Sequence, residues 1–379
     1  MMEKVRLGDV CIFNPKDPKF NDDFEISFVP MTKVGENGEF DPSEIKTYNE
    51  VKKGFTYFQN RDVLFAKITP CMENGKGAVA SGLKNGIGFG STEFHVLRPL
   101  PEKLESKWLF YSLSCSFFRK NAEKNMTGSA GQKRVPKSFL ENYLFVIPSL
   151  EEQQKTVNIL DKLGDLIDKR KLQLSKLDEL VKARFVELFG DPILNQKGFP
   201  VYRMDEVVEF QGGSQPDKKY FEYEPTEDNI RLIQIRDYKT DKYITYIPKS
   251  MAKRFCTADD IMIGRYGPPI FQILQGIEGS FNVALMKATP KMGNREFIRQ
   301  FLKQDCLLEY LEGLSKRTAG QDGIQMDKLK EYPFPIPPIE LQKEFERFIK
   351  QTDKSKLEVQ KSLEKLELLK KALMQKYFG

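Results

Sequence analysis

The chain of 379 residues holds a single histidine, His95, and five cysteines: Cys11, Cys71, Cys115, Cys256 and Cys306. The cysteines are scattered, odd in number and free of Cys-x-x-Cys spacing, which argues against a disulfide framework or a structural zinc site and fits a reduced, cytoplasmic compartment. His95 lies in an alternating strand pattern with no nucleophile partner in view, so it reads as a packed or edge histidine rather than a catalytic one. No apolar run approaches the ~18–20 residues of a membrane span. The opening Met1-Met2-Glu3-Lys4-Val5-Arg6 lacks the apolar stretch of a secretion signal. Catalytic signatures are missing as well. There is no Asn/Asp-Pro-Pro-Tyr/Phe element of an adenine methyltransferase; Tyr266-Gly267-Pro268-Pro269 is not one. There is no Walker Gly-x4-Gly-Lys-Ser/Thr, and Pro216-Asp217-Lys218-Lys219 is too isolated to be a nuclease core. Strong charge of either sign is absent too. Residues 1–150 carry 21 basic and 18 acidic groups, 151–190 eight of each, 191–339 21 of each, and 340–379 ten and seven. Nucleic-acid binding therefore has to be argued from local clusters and architecture, not from bulk charge.

What is present is a long internal repeat. Residues 90–190 recur in diverged form at 279–379 with a constant offset of 189. Gly90-Ser91 falls on Gly279-Ser280, Trp108 on Phe297, and Ala130-Gly131-Gln132 on Ala319-Gly320-Gln321. Tyr143 and Phe145 fall on Tyr332 and Phe334, Ile147-Pro148 on Ile336-Pro337, Gln153 on Gln342, and Phe189-Gly190 on Phe378-Gly379. The chain divides into residues 1–150, a strand- and turn-rich globular unit; 151–190, a long helix; 191–339, a second globular unit; and 340–379, a second long helix. The expected fold class is α+β: two similar α/β domains separated by two long helices, with a pseudo-two-fold internal repeat. Forty per cent hydrophobic residues, with 29 Phe and 14 Tyr, suffice to fill the cores.

Short apolar runs at Val63-Leu64-Phe65, Ile87 to Val96 and Leu144 to Ile147 predict strands, separated by turns such as Gly35-Glu36-Asn37-Gly38 and Asn74-Gly75-Lys76-Gly77. One helix is expected from about Ser106 to Lys124, with Trp108, Phe110, Tyr111, Phe117 and Phe118 packing the core. Ser149-Leu150-Glu151-Glu152 opens the first long helix, with a capping serine and acidic residues at its positive end. Leu160, Leu163, Ile167, Leu174, Leu177, Val181 and Leu188 follow at three- and four-residue steps, interrupted by Arg170 and Arg184. The second long helix has its stripe at Phe345, Phe348, Ile349, Leu357, Leu363, Leu366, Leu369 and Leu373. Each helix is expected to run for about 35 residues, roughly 50 Å at 1.5 Å per residue. The helices either lie on their own domains or pair with each other. Equal length and shared register favour an antiparallel coiled coil, a spacer holding two heads to read duplex sites just over one turn (~34–36 Å) apart.

The segment Ile147-Pro148-Ser149-Leu150-Glu151-Glu152-Gln153-Gln154-Lys155, with Arg170-Lys171-Leu172-Gln173-Leu174 and Phe189-Gly190-Asp191-Pro192, resembles the specificity subunit of type I restriction–modification systems. Arg6-Leu7-Gly8-Asp9-Val10 and Gly131-Gln132-Lys133-Arg134-Val135-Pro136 are similar to that family as well. The resemblance covers the whole chain in the order recognition domain, helix, recognition domain, helix. The second helix departs from it, with Val359-Gln360-Lys361-Ser362-Leu363 in place of Arg-Lys-x-Gln-Leu. The resemblance implies a non-catalytic, cytoplasmic, hetero-oligomeric DNA-binding subunit. Its partners would be double-stranded DNA, two modification (methyltransferase) subunits docked on the helices, and restriction/translocase subunits. No cofactor would be bound by this chain; S-adenosylmethionine, ATP and Mg would sit on the partner subunits. Two other readings stay open: the specificity part of a fused restriction–methylation enzyme, and a protein-binding assembly scaffold.

Reading bases takes bidentate donors and acceptors on protruding loops, with Arg and Lys suited to guanine and Asn and Gln to adenine. Three loop types recur in both copies. Lys67-Ile68-Thr69-Pro70 follows one strand, and Arg265-Tyr266-Gly267-Pro268-Pro269 follows its counterpart; each reads as a groove contact or as a solvated strand edge. Thr127 to Arg134, with Gln132, Lys133 and Arg134, matches a stretch with Arg317 and Gln321; each reads as a contact or as an ordinary connection. The third group is Thr32-Lys33 with Gln234 and Arg236, and Lys76 in its glycine turn is similar. The copies differ at nearly all these positions, which implies an asymmetric two-part target.

Overall fold

The computed structural model describes residues 3–129, 131–266, 270–315 and 324–379. Contacts separate the chain into two units. The first comprises Met1–Leu172 and Gln360–Gly379, the second Gln173–Val359, so the division falls inside both long helices.

Among the described residues the first unit has ten strands: β1 (Glu3–Arg6), β2 (Cys11–Phe13), β3 (Glu25–Val29), β4 (Ile45–Thr47), β5 (Thr56–Gln59), β6 (Val63–Ala66), β7 (Gly77–Val79), β8 (Ile87–Gly90), β9 (Phe94–Pro99) and β10 (Leu144–Ile147). They form a β1-β10 pair and sheets of order β2-β9-β6-β7 and β4-β3-β8-β5, with β3 and β8 parallel. The second unit has β11 (Val201–Arg203), β12 (Val208–Gly212), β13 (Asn229–Ile233), β14 (Tyr246–Pro248), β15 (Phe255–Cys256), β16 (Ile261–Gly264), β17 (Gln272–Gln275), β18 (Gly279–Phe281), β19 (Leu285–Pro290) and β20 (Pro333–Pro335). Its sheets are β11-β20, β12-β19-β16-β17 and β14-β13-β18-β15, again with one parallel pair, β13 and β18. The repeat is therefore one of topology as well as of sequence. The duplicated glycine before serine has a steric cause, since a Cβ on Gly90 would run into the Val29 carbonyl of the parallel neighbour. Gly279, at a φ of +151°, meets the Arg231 carbonyl oxygen at 2.6 Å in the same way.

The long helices are Leu150–Phe189 and Ile339–Phe378, 40 residues and roughly 60 Å each. They outrun the expected 35 residues, and their first turns carry a polar anchor. Gln153 is fully buried. Its amide donates to the Lys103 and Pro148 carbonyls (both 3.0 Å), and its Oε1 accepts from Glu105 N (2.9 Å). Gln342 repeats this with Pro337 O (2.7 Å) and Asn294 N (2.6 Å). Glu105 and Asn294 in turn cap the helix that begins at the next residue. The shared Pro-x4-Gln spacing thus fastens each long helix to its own head.

Within each unit the two long helices run antiparallel. In the first, Lys171 pairs with Glu367 (3.8 Å). In the second, Asp178 pairs with Lys356 (2.6 Å) and Arg184 with Glu344 (2.5 Å). Leu160, Leu163 and Ile167 are buried in the first unit, and Val181, Phe185 and Leu188 in the second. Arg184 does not break this seam, because its guanidinium also pairs with Glu187 and lies 5.9 Å from the Phe348 ring centroid. Leu357 and Leu369 were expected on the stripe but are exposed, and Val359 and Leu363 are buried in that part of the helix.

Each head is closed by the end of the helix that follows the other head. Phe378 sits 4.6 Å from Trp108, and the Cys115 thiol donates to its carbonyl (3.2 Å). In the second unit Phe185 and Phe189 pack on Phe297, the counterpart of Trp108, and on Phe345. The helix expected from Ser106 to Lys124 is two helices, Ser106–Ser114 and Ser116–Lys124. Cys115 between them is extended and caps the second with its sulfur. Phe118 is buried, but the break turns Phe117 outward to 60% exposure.

Replacing Gln153 with Leu takes the partner from three partly buried backbone groups and should cost about 1–3 kcal/mol. Chemical denaturation would show it, with hydrogen exchange placing the loss in the first unit. Gln342→Leu should move the loss to the second unit, and unchanged stability in both variants would refute the anchor.

Candidate nucleic-acid interface

In the first head the candidate loops adjoin. Lys67 follows β6; its amide donates to Glu93 O (2.9 Å), and its carbonyl accepts from Val135 N (2.9 Å). Residues 68–75 then coil into a turn, with Met72 N bonded to Ile68 O and Asn74 N to Pro70 O (both 2.9 Å). Thr69 N reaches Lys133 O (3.0 Å), and Ile68 and Thr127 each form a bridge with Arg134. At the far end of the turn, Lys76 donates to Met31 O (3.2 Å) and Gly77 N to Gly35 O (3.2 Å), which brings in the Thr32-Lys33 segment. Stretches distant in sequence therefore share one patch.

The candidates in that patch play different parts. Gln132 and Lys133 are exposed, Lys67 is half-buried, and none of these side chains has a hydrogen-bond or ion-pair partner among the described residues. Arg134 is committed. It grips Glu93 with a two-pronged fork, Nε to Oε2 at 2.9 Å and Nη2 to Oε1 at 2.8 Å. That bond holds the Glu93 carboxyl below its usual range, and such forks hold geometry as well as charge. Lys33 is also engaged, with Asp41 (2.9 Å) and Ser43 (3.1 Å). Ser43 first and Lys33 second hold Asp41 down at about 2. His95 is packed, as its strand pattern suggests: buried, with Nε2 2.8 Å from Val135 O, its pKa lowered by burial. It ties β9 to the base of the Gln132 loop. Nothing in the sequence flags Glu93, which lies 41 residues from its partner.

In the second head Arg265 leaves β16 as Lys67 leaves β6. Its amide donates to Ala284 O (2.9 Å), and its guanidinium lies 5.3 Å from the ring centroid of exposed Tyr266. Gln234 and Arg236 both donate to the Thr245 hydroxyl (3.1 and 3.0 Å). Arg236 and Lys242 flank the exposed ring of Tyr243 at 6.0 and 5.3 Å. Of this basic and aromatic group only Arg236 was singled out in the sequence; the mixture of Lys, Arg and Tyr was the available signal for Lys242 and Tyr243. It borders the Arg265 loop, since a Cβ on Gly264 would lie 2.8 Å from Ile235 Cδ1. Arg317 and Gln321 lie outside the described residues, as do Ala130 and Gly267-Pro268-Pro269. Among the described residues no three His, Cys, Asp or Glu side chains gather into a cation site, and no helix is long and apolar enough to cross a membrane.

One head topology used twice, with basic and amide side chains on matching loops and long helices closing each head, defines a duplicated recognition protein. The chain belongs to the family described as the type I restriction modification DNA specificity domain, whose model matches residues 1–177 and again 196–368. It is 45% identical over 181 residues to the type I restriction enzyme EcoAI specificity subunit of Escherichia coli, and 43% over 179 residues to the EcoEI specificity subunit of the same species. Each of these matches covers 46% of this chain but only 30% of the relative's length. The putative MjaX specificity subunit of Methanocaldococcus jannaschii is 24% identical over 376 residues, covering 92% of this chain and 83% of that protein. The fold is shared with the type I restriction–modification S subunit from M. genitalium, at TM-score 0.60 and 15% identity, covering all of this chain and 96% of that one. It is also shared with a chain solved in work on complex assembly and conformational transition of the type I R-M system, at TM-score 0.56 and 20% identity, covering all of this chain and 97% of that one.

The lowered carboxyl pKa of Glu93 gives a signed expectation. The fork supports the Gln132 loop above the ordinary glutamate value of ~4.3, and this support is lost as pH falls through the lower folded value. Amide exchange at Arg134 and Val135 should lose protection only below the ordinary glutamate range. Glu93→Gln should make these amides exchange faster at neutral pH with no such transition; a Glu93→Gln profile matching the wild type would contradict the assignment.

Proposed function

We propose that this specificity subunit reads a two-part, asymmetric duplex DNA sequence, one half with each head, and carries no catalysis of its own. The observation that supports this best is the pairing of one strand order with different loop chemistry. Lys67, Lys76, Gln132 and Lys133 crown the first head, and Gln234, Arg236, Arg265 and Tyr266 the second. Long donors of this kind suit guanine and adenine edges and phosphates, and different donors on one scaffold select different half-sites. Near-neutral bulk charge suits a subunit whose DNA affinity is shared with partners.

The long helices dock two modification subunits, to which restriction/translocase subunits add. Their exposed apolar side chains support this reading: Ile159, Leu166 and Leu172 in the first unit's part of the first helix, and Leu180 and Val186 in the second unit's part. Ile159 and Leu166, seven residues and about two turns apart, share one solvent face, which fits a partner helix laid along it. S-adenosylmethionine serves adenine methylation on the modification subunits, and ATP and Mg serve the restriction subunits, in the cytoplasm.

Sequencing adenine methylation in cells carrying the modification partners, with and without this chain, tests the proposal. One gapped motif with two unlike halves should appear only when the chain is present. Methylation that is unchanged by the chain, or that follows one uninterrupted motif, would overturn it.

A further inference from the structure

Arg119 lies in the Ser116–Lys124 helix of the first head and is only 8% exposed. No carboxylate contacts it among the described residues. Its guanidinium instead donates to two backbone carbonyls, Met72 O at 2.9 Å and Gly75 O at 3.1 Å, and lies 4.8 Å from the Phe65 ring centroid. Its Nε has no partner. Burial pulls its pKa down to about 10, which leaves it charged at neutral pH. An ionised group this deep without a counter-charge is costly, and an apolar residue of similar volume generally serves a fold as well or better.

The repeat supplies the comparison. Position 119 falls on Leu308, in the corresponding helix of the second head, where it packs against the core. The fold thus closes this position with leucine in one copy and keeps a costly arginine in the other. What the arginine adds is its grip on the 68–75 turn, both of whose bonded carbonyls lie on the path from Lys67 to Lys76. The turn is also pinned close by, since a Cβ on Gly77 would sit 2.8 Å from Leu64 O and 3.6 Å from the Arg119 Nη2.

We infer that Arg119 is a positioning residue for the first half-site: its fork fixes the 68–75 turn from below, and so sets where Lys67 and Lys76 meet DNA. The inference rests on the DNA-reading function proposed above. A single residue then governs discrimination at one half of the target and leaves the other half alone.

The test uses the full chain with its modification subunits. It measures binding to the motif duplex and to duplexes scrambled in one half or the other, alongside thermal unfolding. With the wild type, scrambling either half should weaken binding; no preference among the duplexes would sink the DNA-reading proposal itself. Arg119→Leu should stay folded and melt close to or slightly below the wild-type temperature, since Met72 O keeps the Gly75 amide as donor and Gly75 O alone loses its partner. It should lose about tenfold of the discrimination at one half, as expected for one good base contact, and keep the other half unchanged. Both ratios unchanged, or both reduced together, would overturn the inference while leaving the DNA-reading function standing. Should Arg119→Leu fail to fold, Arg119→Lys decides. Its single ammonium cannot span both carbonyls, so one-sided loss supports the role and wild-type ratios reject it.

Discussion

Every other feature depends on how each head is closed. The core around Trp108 is completed by Tyr377 and Phe378, and the core around Phe297 by Phe185 and Phe189. In both cases the closing aromatics come from the end of the long helix that follows the other head. Within each unit the start of one long helix is fastened by a buried glutamine and the end of the other by aromatics, and the antiparallel pairing and ion pairs of that unit follow. Burying one such phenyl ring is worth about 2–3 kcal/mol, well above the 0–1 kcal/mol of the exposed helix-to-helix ion pairs. The aromatics and glutamines hold the helices, and the ion pairs adjust their register.

With the frame fixed in this way, the loops are free to differ. The β3–β4 connection of the first head neutralises Lys33 with Asp41, while the matching β13–β14 connection leaves Arg236 and Lys242 around an exposed tyrosine. Cations take two distinct roles. Arg134 and Arg119 are occupied with carboxylate or carbonyl oxygens and give the loops their shape. Lys67 and Lys133 have no such partner among the described residues. That division leaves the loops locally basic in a chain with little net charge.

The architecture was legible in the sequence because duplication is. The offset of 189, the matched Ile-Pro helix starts and the Phe-Gly helix ends located both helices and implied two like heads, and β6 fell where its apolar run placed it. Side-chain direction was harder to read. Leu357 and Leu369 fit a helical stripe by spacing, but the helix has room to bury only one face, and Val359 and Leu363 occupy it. The helix through Cys115 looked continuous because its aromatic spacing runs across the break; Cys115 is extended and caps the second helix, while its thiol bonds a carbonyl 263 residues away. The Arg134–Glu93 fork was hidden for the same kind of reason, since the two residues are remote in sequence. Periodicity reports burial within an element, whereas these outcomes are set by contacts between elements.

The central claim is that two separate heads each grip one part of a single DNA target. Hydroxyl-radical footprinting of the motif duplex, bound by the full chain with its modification subunits, tests it most directly. The account predicts two protected patches with an accessible stretch between them, each shifting only when its own half of the sequence is altered. A single continuous footprint, or one patch that responds to changes in either half, would contradict it.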